Sequence, residues 1–424
     1  MTVRYSRAPR PVLQQIDLSV APGDVVGLTG ASGTGKTSLV RSVAGLIPWL
    51  TPGAVEGEVT IDGESVVDLD PGQRAHLFAT CLDRPESQLF LATVEQEIDA
   101  ARRLYGARFA DRAVECLALS ALRHRRVTEL SSGERQRVAL AVAFSASPRP
   151  ILLDEPTAHL DVDGEAAVVA LLGDAAARGS AVVLAEQAGW RIGDRVDSWF
   201  RVDRGRVGPA GAPAAPELDP PAHAVGNDAV LSCRGLTVSR NGRPLLDEVD
   251  FDLHEGEVVA LTGPNGSGKS TLAEVAAGLR APAAGRVIRR HRTALMLPES
   301  ELQLFASTVA GEVSGTGARH EERSRVLRRH RLDHLAARAP WTLSRGERQR
   351  LVHATLDLLR PKVLIVDEPG QGLGGDDLAV FFDLVRRRSA KGRAYLVISH
   401  RSEIAAAAHR RLVVRGGRLV EDSL

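Results

Sequence analysis

Twice along the chain an apolar run ends in the pattern G-x-x-x-x-G-K-[ST]. "DVVGLTG" leads into Gly30, Ala31, Ser32, Gly33, Thr34, Gly35, Lys36 and Thr37, and "EVVALTG" leads into Gly263, Pro264, Asn265, Gly266, Ser267, Gly268, Lys269 and Ser270. A glycine-rich loop between a strand and a helix turns its backbone N–H groups inward, and the helix N-terminus adds partial positive charge, which together cradle β- and γ-phosphates. Only four of the 54 basic residues are lysine, and two of the four are Lys36 and Lys269. A compact, mobile ammonium serves a phosphate in a way that arginine's flat fork does not. The hydroxyls of Thr37 and Ser270 are placed to hold Mg²⁺ beside the phosphates.

Two further runs, "ILLDE" and "LIVDE", are apolar strands that end in adjacent carboxylates. Charged ends on buried strands mark the functional edge of a parallel sheet. Asp154 and Asp367 are expected to orient Mg²⁺ and its waters, and Glu155 and Glu368, one residue on, to position or deprotonate an attacking water. "LSSGE" and "LSRGE" supply Ser131, Gly133, Ser344 and Gly346 and open long amphipathic helices. Taken alone these are helix-capping phrases. Finally, the strand "AVVLAEQ" ends on Glu186 and Gln187, whereas "AYLVISH" ends on His400.

These residues recur because the chain repeats itself. The Ser-x-Gly-Glu phrases, the Asp-Glu strands and the Gln187/His400 positions are each offset by 213 residues, and the two glycine loops by 233. The extra residues of the first copy fall at 57–72, "GEVTIDGESVVDLDPG", a predicted hairpin and turn. A Pro/Ala/Gly-rich stretch at 204–228 reads as a semi-rigid tether without a core. Two α/β domains are therefore expected, 1–203 and 229–424. The first copy begins about eight residues later than the second relative to its glycine loop, so an N-terminal strand is expected to be missing from it.

Hydrophobic content of 44% and charged content of 25% fit two globular domains, each large enough for its own core. A net charge of +1 gives no basic field to attract nucleic acid. No apolar run reaches 18 residues, so no membrane span is expected, and the start "MTVRYSRAPRP" lacks a signal-peptide core. Cys81, Cys116 and Cys233 show no metal spacing and fit a reducing compartment.

The three motifs together resemble the ATP-binding-cassette (ABC) ATPases over nearly the whole chain, twice. The resemblance implies two tandem P-loop domains, each a RecA-like core with a β-subdomain and a helical signature subdomain, using ATP and Mg²⁺. It also implies a head-to-tail dimer in which Ser131 and Gly133 complete the site on Lys269, and Ser344 and Gly346 the site on Lys36. Family members carry a histidine that contacts the γ-phosphate, here His400 in one half and Gln187 in the other. They also carry an aspartate in the loop that reaches across, here Asp161 in one half and Gly374 in the other. Both losses fall on the Lys36 site, so the Lys269 site is expected to be the more active. Tyr5 matches the aromatic that stacks on adenine, and Val238 takes its place in the second half. The glutamine that links metal to the membrane partner is replaced by Asp83 and Pro298.

"RPESQLFLATVEQEI" and "ESELQLFASTVAGEV" are similar to a segment of the energy-coupling-factor (ECF) transporter ATPases, with Gln88 and Gln303 at the matching glutamine. That resemblance implies a motor on the cytoplasmic face of the membrane. It would grip an integral-membrane scaffold and a substrate-binding subunit that import a vitamin, a vitamin precursor or a metal ion. The alternative class is a soluble tandem ABC ATPase acting on ribosomes or nucleic acid. Those typically carry a long charged helical linker, which 204–228 is not.

Overall fold

Val25–Thr29 and Val258–Thr262, the strands that run into the glycine loops, are buried along their whole length. Each lies inside a mostly parallel sheet, where both faces are covered and an unbroken apolar run is what the position demands. The computed structural model describes every residue except Arg7, Pro148, Asn241, Gly242, Asn265, Gln371, Gly372, Ser423 and Leu424. The chain divides into two units, Met1–Ala215 and Pro216–Leu424.

In the first unit Val25–Thr29 pairs in parallel with Val182–Ala185 and Ser198–Asp203. Ile151–Asp154 and Ala79–Cys81 extend the parallel part on one side, and antiparallel Arg206–Ala210 closes the other edge. The second unit repeats this order with Thr293–Met296, Val363–Asp367, Ala394–Ile398, Val258–Thr262, Arg410–Arg415 and Arg418–Asp422. In the first unit, one hydrophobic cluster joins Leu28 to Leu39 and Val40 of the helix Lys36–Val43 and to Val3 and Leu13. Another joins Val25 to Val168 and Leu171 of Val162–Ala176 and to Val138 of Ser132–Ser145.

Arg206–Ala210 corrects the expected tether. Its five residues pair with Ser198–Asp203, and Pro209 is tolerated because the strand is an edge. The β-subdomains also differ. The second unit has a three-stranded antiparallel sheet of Ala229–Arg240, Arg243–His254 and Ala284–Arg289. The first does contain an N-terminal strand, Thr2–Tyr5, paired with Gly53–Glu56, but only an isolated bridge joins Val3 to Leu13. The insertion forms a two-residue hairpin, Thr60–Ile61 with Glu64–Ser65, followed by the capped turn of helix Pro71–Arg74.

Helical subdomains complete both units, with Val94–Tyr105, Ala107–Cys116 and Ser132–Ser145 in the first. Val309–Ser314, His320–Arg329 and Arg345–Leu359 correspond to them in the second. Among the described residues no helix is long and apolar enough to cross a membrane.

Candidate functional site

In each unit the carboxyl ends of neighbouring strands converge on one edge of the sheet, where an α/β fold binds its ligands. At Gly30 the backbone has φ of +143°, and a Cβ there would lie 2.4 Å from the Val202 carbonyl oxygen, so only glycine lets the loop turn against the sheet. Ala31 to Thr34 form the loop's tip, stitched by Thr34 Oγ1 donating to the Ala31 carbonyl at 2.9 Å. Lys36 is buried and donates to the carbonyls of Gly30 at 2.6 Å and Ala31 at 3.1 Å. Lys269 does the same with Gly263 at 2.7 Å and Pro264 at 2.8 Å. Asn265 lies outside the described residues. Gly30→Ala is expected to cost roughly 2–4 kcal/mol of stability and to weaken ATP binding at this loop. Calorimetry and nucleotide titration check this, and an unchanged melting temperature would refute it.

Beside each loop stands a metal-type corner. Thr37 Oγ1 donates to Asp154 Oδ1 at 3.1 Å, and Ser270 bonds Asp367 in the same way. Among the described residues, one oxygen of each aspartate, Asp154 Oδ2 and Asp367 Oδ1, is buried with no hydrogen-bond partner. Burial pushes both carboxyls up to about 7; Asp83 adds to this at Asp154, with Thr37, Arg41 and Lys36 opposing it, while at Asp367 Ser270 opposes and Glu368 adds. A buried carboxylate with an orphaned oxygen is a group that a cation would satisfy. One carboxylate plus one hydroxyl is the set that Mg²⁺ uses when phosphates and waters supply the remaining ligands. The residues present therefore fit Mg²⁺.

The second carboxylates separate the two units. Glu155 and Glu368 both sit in the left-handed region, at φ of +54° and +48°, a strain typical of working residues. Glu368 Oε1 lies 3.1 Å from His400 Nδ1, and its Oε2 accepts from Ser399 Oγ at 3.3 Å. Burial pushes its carboxyl up, but His400, Arg401 and Lys269 outweigh burial and hold it below the usual range. His400 keeps a buried Nε2 without a hydrogen-bond partner among the described residues.

In the first unit the Ser399 position is Glu186, fully buried, which accepts from Thr157 Oγ1 at 2.7 Å and from the Gln187 and Ala188 backbones at 2.9 and 3.1 Å. Glu155 is pushed well above the usual range by burial first and by Glu186 second, with Lys36 opposing. Gln187 bonds Glu155 but brings no charge. Gln187 is therefore not the only change at this site: the Glu186/Ser399 contrast, one residue earlier in the repeat, sets a second carboxylate beside Glu155 in the first unit and a hydroxyl beside Glu368 in the second.

Ser131 and Ser344 are N-caps of Ser132–Ser145 and Arg345–Leu359, each in a reciprocal capping box with Glu134 and Glu347. A Cβ on Gly133 would meet the His159 carbonyl at 2.6 Å, and one on Gly346 would meet Asp377 Oδ2 at 2.8 Å. Asp161 caps Val162–Ala176 through the Gly164 N–H at 3.0 Å, whereas Gly374 has no side chain to cap Gly375–Ser389. Tyr5 OH lies 2.8 Å from Ser38 Oγ, and Val238 is buried in its sheet.

The segments around Gln88 and Gln303 are built alike. Gln88 accepts from the Leu82 N–H at 2.6 Å and donates to the Thr80 carbonyl at 3.1 Å; Gln303 accepts from Leu297 at 2.8 Å and donates to Leu295 at 3.0 Å. Buried Glu97 takes the Leu91 N–H, and buried Glu312 takes those of Phe305 and Ala306. Both loops thereby hold a phenylalanine out, with Phe90 83% and Phe305 86% exposed. Asp83 pairs with Arg41 at 2.8 Å.

Residues 13–158 and 246–371 match the family model described as ABC transporter. A putative ABC transporter ATP-binding protein of Methanosarcina acetivorans is 28% identical, covering 99% of this chain and 88% of its own. The putative HMP/thiamine import ATP-binding protein YkoD of Bacillus subtilis is 27% identical, covering 96% and 87%. Among solved structures, the RNase-L Inhibitor is similar over 99% of this chain and 89% of its own, with a TM-score of 0.73 at 19% identity. A chain from a model of ribosome-bound archaeal Pelota and ABCE1 covers 99% and 78%, with a TM-score of 0.76 at 22% identity. At these identities the two structures speak to the fold, two tandem ABC ATPase domains.

Proposed function

The chain belongs to the ABC transporter family, and from that premise we propose that it is the ATP-hydrolysing motor of an ECF-type importer. In this reading it works at the cytoplasmic face of a membrane. The observation that carries the reading is the pair of loops in which half-buried Gln and buried Glu side chains hold Phe90 and Phe305 in solvent. An exposed aromatic on a braced loop is an anchor for a partner's apolar pocket. The HMP/thiamine import in the name of the Bacillus subtilis relative supports a vitamin or vitamin precursor as cargo.

Lys36 and Lys269 bind the phosphates. Mg²⁺, held by Thr37 with Asp154 and by Ser270 with Asp367, would neutralise phosphate charge. Glu368, ionised and fixed by His400 and Ser399, orients the attacking water and accepts its proton. Burial first and then buried Glu186 push the Glu155 carboxyl well above the usual range, which disfavours the ionised form that would take that proton. The Lys269 site therefore turns ATP over, and the Lys36 site mainly binds it.

The double variant Phe90→Ser/Phe305→Ser is expected to bind ATP normally and to lose at least about tenfold in membrane-bound protein, as two buried aromatic anchors predict. Purification in mild detergent with identification of the bound partner reads the outcome. A membrane partner retained by the double variant would contradict this docking mode. Copurification with ribosomes or RNA instead would favour the soluble ABC ATPase class that the fold also serves.

A further inference from the structure

The second unit buries an ionic cluster where the first unit uses hydrocarbon. Asp357, near the end of Arg345–Leu359, has no exposed side-chain surface. Its Oδ2 accepts from Arg388 Nη2 at 2.7 Å and lies 3.2 Å from His330 Nε2, and its Oδ1 accepts from Arg393 Nη1 at 2.6 Å. His353, one turn earlier on the same helix, is fully buried between the rings of His330 and Phe381, each 5.1 Å away, and neither of its ring nitrogens has a hydrogen-bond partner. Burial pushes the Asp357 carboxyl up, but the hydrogen bonds from His330 and Arg388 outweigh it and hold it well below the usual range. Burial pulls His330 down and His353 down to about 3, so the charges here are one carboxylate among guanidiniums.

At the repeat offset of 213 the first unit has Leu117, Leu140, Phe144, Ala175 and Ser180 in place of His330, His353, Asp357, Arg388 and Arg393. The first four belong to one hydrophobic cluster. The fold evidently closes without the charges, as expected when a buried ion pair and an apolar set of similar volume are near-equal in stability. What charges add is a single register, because a carboxylate gripped from both sides by guanidiniums tolerates little sliding.

Three elements meet at Asp357, and each one's other end is a site residue. Arg345–Leu359 starts at the signature, with Ser344 as its cap, about 18 Å away along the helix. Gly375–Ser389, which carries Arg388, starts at Gly374. Arg393 opens the strand Ala394–Ile398, which runs on to Ser399 and to His400, the partner of Glu368. We propose that Asp357 is a positioning residue for ATP turnover: it locks the signature helix of the second unit to the strand of His400, so that the Ser344 and His400 ends shift as one body. The first unit, with hydrocarbon at this joint, has no such lock. The proposal rests on the ATP-turnover reading above.

The test compares the full chain with an exchange variant that imports the first unit's solution: His330→Leu, His353→Leu, Asp357→Phe, Arg388→Ala and Arg393→Ser. The expected result is a melting temperature close to the parent's, a KM for ATP within about twofold, and a kcat at least about tenfold lower, the split of a lost transition-state interaction. Hydrogen exchange is also expected to show that ATP no longer slows the 344–347 and 399–401 backbones together. A stable exchange variant with the parent's kcat and joint protection overturns the proposal. If that variant does not fold, Asp357→Glu decides. The same charge on a longer arm shifts the register, so kcat falls with KM kept, and an unchanged kcat overturns the lock. An inert parent would overturn the ATPase reading itself, whereas an active parent with an unchanged variant overturns only the lock.

Discussion

Glu368→Gln is expected to lower steady-state ATP hydrolysis by roughly 100-fold or more, the scale of a lost general base, while Glu155→Gln costs no more than about threefold. The two carboxylates share a strand end, a left-handed backbone and a neighbouring phosphate loop. They differ in what surrounds them. Glu368 has His400 at 3.1 Å and a hydroxyl, Ser399, on its second oxygen. At Glu155, burial and the neighbouring Glu186 push the carboxyl well above the usual range. An amide at 155 replaces a group whose ionisation is already disfavoured, whereas an amide at 368 removes the ionised base. Steady-state rates in the purified chain read the comparison, and equal losses would end the argument for unequal sites.

Asp367→Asn is expected to stabilise the metal-free protein while removing the Mg²⁺ response of the Lys269 site. Burial lifts this carboxyl from 3.8 to about 7 in the folded chain. Between those values the folded state binds more protons than the unfolded one, so its stability falls as pH rises through this window and levels off above about 7. Three pKa units set a ceiling of about 4 kcal/mol, and relaxation around the buried group leaves roughly 1–3 kcal/mol to recover. In chelator at pH 8 the variant should therefore melt several degrees higher than the parent, and at pH 4 the gain should vanish. With Mg²⁺ and ATP the parent should gain stability through both sites, and the variant only through the Lys36 site, which keeps Asp154. A lower melting temperature in chelator, or a gain with Mg²⁺ and ATP as large in the variant as in the parent, would show that the orphaned oxygen of Asp367 is not a cation ligand.

Much of this site was legible because the chain repeats itself. Lys36 and Lys269, the Asp-Glu strands and the capped signature helices are local phrases, in which spacing alone dictates a loop, a strand end or a cap. Every described member of those phrases lies where the phrase predicts. Tertiary partners were less legible. The influence of Glu186 on Glu155 depends on two strand ends 31 residues apart lying side by side. The Arg41–Asp83 pair and the cluster on Asp357 join elements that no local pattern connects. The tether was misread at its start for a similar reason. Residues 206–210 look like a Pro/Gly linker until Ser198–Asp203 offers them a sheet edge. Gln88 and Gln303 mark the segment whose resemblance implies a grip on a membrane scaffold, yet both spend their amides bracing their own loop, and the exposed groups are the phenylalanines two residues on.

The division of labour between the units is the central claim, and nucleotide trapping resolved by unit tests it most directly. After several turnovers with a photoreactive ATP analogue, cross-linking and peptide mapping separate nucleotide on the loop of Lys36 from nucleotide on the loop of Lys269. The account predicts intact triphosphate on the first and diphosphate on the second. Diphosphate in equal amounts on both would contradict it.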